Sequence, residues 1–227
     1  LIDGKILPLN EDSIKNISKA NEEMSKKALR VIGFAYKPCQ KNDNISEDGL
    51  IFFGLMGMID PPRKEIKEAV KKCRKAGMRP IMITGDYAVT ALAVAREIGL
   101  ANDEDEVMTG SELSSLTDDQ LEKKIKNISV FARVSPQDKE RIVVALKKQG
   151  HVVAMTGDGV NDAPSLKRAS IGIGMGQSGT DIAKEVSDII ITDDNFATIV
   201  VAVEEGRKIY GNIQKTVKFL FSANLAE

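Results

Sequence analysis

Twice in this chain an apolar run stops at the triplet Thr-Gly-Asp. Ile81-Met82-Ile83 leads into Thr84-Gly85-Asp86, and the run from His151 to Met155 leads into Thr156-Gly157-Asp158. Around both, short apolar runs alternate with segments whose apolar residues recur at helical spacing. That alternation predicts an α/β fold, a parallel sheet with helices on both faces. Ligands of such sheets sit at the carboxyl ends of the strands. Both triplets are therefore expected on one rim.

The predicted order begins with a mostly polar helix from Ile14 to Leu29 and a strand from Val31 to Tyr36. Leu50 to Ile59, apolar and bounded by polar residues, predicts a buried strand. Asp60-Pro61-Pro62 is expected to open a helix with Ile66, Ala69, Val70 and Cys73 on its inner face and Gly77 at its end. Asp86 is expected to cap a helix carrying Val89, Leu92 and Ala93 that stops at Gly99. A polar stretch, Asn102 to Asn127, predicts a short helix after Thr117. Ser129 to Phe131 reads as a strand, and Ser135-Pro136 as the start of a helix with Ile142, Val143 and Leu146. Two further strands, Ile171 to Ile173 and Ile189 to Ile191, flank a helix. A long amphipathic helix runs from Asn195 to the end.

Composition narrows the function. Lys and Arg number 32 and Asp and Glu 33, a net charge of −1, which argues against a nucleic-acid binder. Cys39 and Cys73 are too few for a disulfide framework, and the single His151 excludes a several-histidine metal site. The longest apolar stretch, Leu50 to Ile59, is about half the ~20 residues that cross a bilayer. No basic-then-apolar leader opens the chain, which begins at Leu1 and reads as a piece of a longer protein.

The densest chemistry is Thr156 through Pro164. Two glycines there allow close backbone approach, and Asp158 and Asp162 offer the hard oxygens that suit Mg²⁺. A plain turn capping the next helix explains Gly-Asp-Gly alone; Asn161 and Asp162 beside it favour a metal site. Thr84, Gly85 and Asp86 supply a hydroxyl and free amides at a helix start, a ready anion site, although Asp86 as a simple cap explains them equally well. Lys139 falls in the first turn of a helix, where a cation opposes the dipole. A solvated lysine and a phosphate-neutralising one are the two readings. Together these groups equip a site for phosphoryl transfer. No strand-end Asp-Lys-Thr or Asp-x-Asp nucleophile accompanies them.

These stretches, with Asp60-Pro61-Pro62-Arg63, Phe131-Ala132-Arg133-Val134, Pro136 to Lys139, and Asp193-Asp194-Asn195-Phe196 through Arg207, resemble the haloacid-dehalogenase superfamily. Within it they resemble the P-type cation-transporting ATPases of the calcium-pump branch. The resemblance implies a haloacid-dehalogenase-like (Rossmannoid) phosphorylation domain over residues 59–211. Residues 1–58 would be the end of a nucleotide-binding domain, and 212–227 the start of a fifth membrane helix. It implies Mg²⁺ and ATP as cofactors, with Asp158 on Mg²⁺, and Asn161 and Asp162 completing that site. Thr84, Gly85, Asp86 and Lys139 would meet the phosphoryl group and nucleotide, and Arg30 and Arg133 the ATP. Asp60 to Arg63 would form a hinge. Asn224 and Glu227, three apart on one helix face, would ligate the transported cation, Ca²⁺ by this resemblance.

The implied parent is a multi-pass membrane protein, embedded in lipid, with this segment facing the cytoplasm. It couples ATP hydrolysis through an aspartyl-phosphate to cation transport. The Asp-Lys-Thr-Gly motif is expected upstream, its strand falling between those that end at Thr84 and Thr156, so an open slot or collapsed pairing is expected there. Ser170 stands where the family pattern has an acidic residue. A soluble phosphatase of the same superfamily and a non-catalytic nucleotide- or Mg²⁺-binding fragment are the alternatives.

Overall fold

A computed structural model describes residues 6–38, 46–59 and 61–225. Asp60 of the expected hinge, Cys39 and Glu227 lie outside the described residues.

The chain opens with α1 (Glu11–Ser25), capped by Asn10, whose side chain accepts from Ser13 N at 2.9 Å. Then β1 (Arg30–Tyr36) and β2 (Ile51–Met58) pair antiparallel. The expectation that Leu50–Ile59 forms a buried strand is corrected. β2 belongs to a two-stranded hairpin, is nowhere fully buried, and leaves Phe53 and Met56 exposed. An apolar run reports hydrophobicity, not which neighbours cover it, and a hairpin with one helix against it has too little to cover both faces.

The remaining strands are all parallel and form two three-stranded sheets. In the first, β5 (Val130–Ala132) lies between β3 (Met82–Thr84) and β4 (Val107–Thr109). In the second, β7 (Ile171–Met175) lies between β6 (Ala154–Gly157) and β8 (Ile189–Ile191). Among the described residues both β3 and β6 are therefore edge strands, and no ladder joins them. They nonetheless approach one core, because Ile83 of β3 packs against the cluster of Val143, Met155 and Leu166. This matches the slot expected between the strands ending at Thr84 and Thr156.

Helices wrap the sheets: α2 (Ile66–Lys75), α3 (Ala88–Glu97), α4 (Gly110–Ser115), α5 (Asp118–Lys124), α6 (Pro136–Lys148), α7 (Ala163–Arg168) and α8 (Asp181–Glu185). The helix expected to open at Asp60-Pro61-Pro62 begins only at Ile66, and its inner face is the predicted Ala69, Val70 and Cys73. Phe131 on the central β5 is wholly buried, with Ile142 and Leu146 of α6 in the same cluster. β4, three residues long, and α4, six residues long, fall inside the polar stretch and are too short to show a period.

Helix α9 (Phe196–Leu225) is the longest element. Its start is tied to the chain before α2: Asn195 Nδ2 donates to Glu65 Oε1 at 2.9 Å, and Arg63 Nη1 donates to the Asp193 carbonyl at 3.4 Å. Val200, Phe196 and Ala197 pack on Ala69 and Cys73. From Ile209 to Phe221 its large apolar side chains, Ile213 and Phe219 among them, are exposed. No helix among the described residues is long and apolar enough to cross a membrane.

Asp194, at φ +50°, ties the start of α9 back to the end of β7. The Gln177 amide at 2.9 Å, joined by that of Ser178, holds its carboxyl down from 3.8 to about 2. A depressed carboxylate pKa adds stability above the ordinary value, and that stability is lost as the pH falls through the lowered one. The Asp194 side-chain carboxyl resonance is thus expected to titrate with a midpoint near 2; a midpoint at 3.8 would show the tie absent.

Candidate functional site

The carboxyl end of β6 runs into the turn that holds most of the chemistry. Asp162 closes this turn. It is 7% exposed, and its Oδ2 accepts from the amides of Asp158 at 3.3 Å and Gly159 at 3.2 Å. Its Oδ1 receives the Lys139 ammonium at 2.6 Å. Its own carbonyl accepts from Ser165 Oγ at 2.8 Å, a fully buried hydroxyl one turn on. Gly157 makes room for this: a Cβ there would stand 2.5 Å from Asp162 Cβ. Close approach, not unusual backbone angles, is what this glycine provides.

Lys139 answers the oddity noted in the sequence. Ser135 caps α6 and shares a reciprocal box with Asp138: Asp138 Oδ2 accepts from Ser135 N at 2.8 Å, and Ser135 Oγ accepts from Asp138 N at 3.2 Å. Asp138 therefore serves the cap and leaves Lys139 to Asp162. That ion pair, with side chains 20% and 9% exposed, offsets the unfavourable dipole and aims an ammonium at the end of β6.

Asp158 differs from Asp162. It is exposed, and its carboxylate has no partner among the described residues. Asn161, also exposed, lies in the 3-10 turn Val160–Asp162. No cluster of three or more metal-ligating side chains exists among the described residues. Mg²⁺ needs no such cluster, since one or two carboxylates with phosphate and water suffice. The donor set fits it through Asp158, whereas both oxygens of Asp162 are engaged.

The second loop follows β3. Thr84 Oγ1 donates to Asp86 Oδ2 at 3.0 Å and accepts from Asp86 N at 3.1 Å, closing a tight turn. The expectation that Asp86 caps α3 is corrected. The capping position is Tyr87, which makes no side-chain bond to the helix, because the Asp86 carboxylate is turned back onto Thr84. The first-turn amides of α3 are consequently left without a side-chain acceptor, and unpaired amides at a helix start attract anions. Gly85 is exposed beside them.

Arg133 joins this loop from β5. Its amide donates to the Asp86 carbonyl at 3.1 Å, and its guanidinium carbon lies 4.2 Å from the centre of the Tyr87 ring. It holds φ +55°, a left-handed conformation that costs a non-glycine residue roughly 1–2 kcal/mol. Gly110 accommodates that turn by letting the Arg133 carbonyl pack against its bare Cα. Neither Tyr87 nor Gly110 was flagged by sequence reasoning, which had no pattern to connect residues so far apart.

Two groups are thus assembled, Lys139 with Asp158, Asn161 and Asp162, and Thr84, Gly85 and Asp86 with Arg133. They face a shared core through Ile83 and Met155. Arg30 is not drawn into either; it is exposed at the start of β1, paired with Met58. Asn224 falls in the last turn of α9.

Residues 9–170 match the family described as haloacid dehalogenase-like hydrolase. The chain belongs to the haloacid dehalogenase-like hydrolases. Among the relatives of this haloacid dehalogenase-like chain is "Calcium-transporting ATPase 1" of Bacillus cereus, 52% identical across 100% of the chain and 26% of the relative. "P-type sodium-transporting ATPase4" of Toxoplasma gondii is 43% identical across 96% of the chain and 19% of the relative. A zinc-transporting PIB-type ATPase solved in the E2.Pi state superposes with a TM-score of 0.60 at 25% identity, over 91% of this chain and 27% of that one. The chain spans about a quarter of the length of the first calcium-transporting relatives it matches.

Proposed function

We propose that this chain is the magnesium- and phosphoryl-binding part of a P-type cation pump that couples ATP hydrolysis through an aspartyl-phosphate to transport. The observation that carries the reading is the division of labour at the end of β6. Asp162 is spent on holding Lys139, while the exposed Asp158 carboxylate has no partner among the described residues. Lys139 would hold a transferred phosphoryl group, and the Thr84-Gly85-Asp86 turn with the open amides of α3 would cradle its oxygens. Arg133 and, from the hairpin, Arg30 would meet the nucleotide. Asp158 would hold Mg²⁺, with Asn161 beside it, and that ion neutralises phosphate charge when bound.

Residues 1–58 would be the end of the nucleotide-binding domain, 59–211 the phosphorylation domain, and 212–227 the entry to a membrane helix of the parent, this part lying on the cytoplasmic side. None of the side chains of α1, β1 and β2 is fully buried, and among the described residues the buried hydrophobic clusters draw on residues from 66 to 200, which supports the first boundary. Calcium is the proposed cargo, supported by relatives named for it; Asn224 and Glu227 would be its ligands. The sodium-transporting relative keeps this region 43% identical, so the phosphoryl-binding part need not vary with the ion.

Labelled ATP with and without Mg²⁺ tests the reading on the chain as it stands. Nucleotide binding is expected to strengthen with Mg²⁺ and to lose that dependence in Asp158→Asn. No acyl-phosphate is expected to form, since no strand-end Asp-Lys-Thr is present. Mg²⁺-independent binding in the unaltered chain would overturn the magnesium role. A stable acyl-phosphate would overturn the account of the nucleophile.

A further inference from the structure

The exposed guanidinium of Arg133 makes no hydrogen bond or ion pair among the described residues. A free arginine ordinarily wanders, because its rotamer entropy is large. This one is held. Its backbone is fixed at φ +55° by the Asp86 carbonyl on one side and the Gly110 surface on the other. Its planar head lies 4.2 Å from the Tyr87 ring centre, within the range of a cation–π contact. Tyr87 is 64% exposed, so burial does not account for a large aromatic there. It is also the residue between the Thr84-Gly85-Asp86 turn and α3. The ring therefore occupies one face of the guanidinium and leaves its in-plane N–H donors unspent, beside amides already suited to an anion.

We propose that Tyr87 is a positioning residue for nucleotide binding, presenting Arg133 to an anionic or hydroxyl oxygen of the nucleotide at the Thr84–Asp86 turn. This rests on the reading that Arg133 meets the nucleotide. The ring face does the work, so the phenol hydroxyl is dispensable and Tyr87→Phe should behave as the unaltered chain does. An aliphatic residue cannot replace it.

The test is a double-mutant cycle on the chain, with the Mg²⁺ complex of a non-hydrolysable β,γ-imido ATP as probe. Tyr87→Leu is expected to weaken binding about threefold, Arg133→Ala about tenfold, and the pair no more than Arg133→Ala alone. In the nucleotide-free chain, the Arg133 side-chain protons should show an upfield ring-current shift. That shift should persist in Tyr87→Phe and vanish in Tyr87→Leu, with urea unfolding unchanged in both. If Arg133→Ala weakens binding and Tyr87→Leu does not, the positioning role falls while the reading of Arg133 stands. The role also falls if Tyr87→Phe behaves like Tyr87→Leu, or if Tyr87→Leu still weakens binding when Arg133 is already Ala. If Arg133→Ala leaves binding unchanged, the nucleotide reading of Arg133 fails and takes the proposal with it.

Discussion

Lys139→Met is expected to destabilise the chain by about 2–3 kcal/mol, somewhat below the 3–5 kcal/mol typical of breaking a fully buried ion pair. The discount reflects the Lys139 side chain, 20% exposed and so partly screened by solvent. The substitution leaves the Asp162 carboxylate beneath the surface with two backbone amides, at 3.3 and 3.2 Å, as its remaining partners. The midpoint of urea unfolding should fall while the slope stays constant. Lys139→Met combined with Asp162→Asn should recover much of the loss, because the unpaired charge is then gone while an amide oxygen still accepts from Asp158 N and Gly159 N. An unshifted midpoint in the single variant would mean that the pair does not hold the turn. In the proposed parent pump, losing this ammonium should also slow phosphoenzyme formation by about 10²–10³, the usual consequence of removing one preorganised electrostatic partner.

Gly110→Ala is expected to cost about 2 kcal/mol net, from an overpacking penalty near 3 and a helix-propensity gain of up to about 1. Gly110 is the first residue of α4, where alanine would otherwise be welcome. The added methyl would run into the Arg133 carbonyl oxygen, with Arg133 C at 3.1 Å and Val134 Cα at 3.2 Å behind it. All three are backbone atoms, so no side-chain rotation relieves the clash; the segment from β5 to α6 has to shift. Arg133 should then leave the Tyr87 ring. Urea unfolding reads the first effect, and the loss of the Arg133 ring-current shift reads the second. A variant with unaltered stability and shift would show that the two loops are not packed as described.

The alternation of strand and helix was legible because each element carries its own local signal. Ser135-Pro136 begins α6 with a hydroxyl cap and a proline whose missing amide matters little there, and Ala69, Val70 and Cys73 repeat at helical spacing. What escaped depends on partners distant in sequence. Leu50 to Ile59 is as apolar as a central strand yet pairs in a half-covered hairpin. Asp86 has the right type and place for a cap, but Thr84 competes for its carboxylate. Asp158 and Asp162 look alike in the sequence; only the approach of Lys139, 23 residues away, separates an engaged carboxylate from a free one. Tyr87 and Arg133 touch across two different strand ends.

Helix α9 has a mechanical consequence. Its 30 residues make a rod about 45 Å long, gripped near its amino end by Ala69, Cys73 and the bond from Arg207 to the Ala76 carbonyl. About 27 Å of it extends beyond Arg207, so a 10° tilt at the grip would carry the far tip roughly 5 Å. A small rearrangement where the rod is clamped is in this way magnified into a displacement as large as one helical turn.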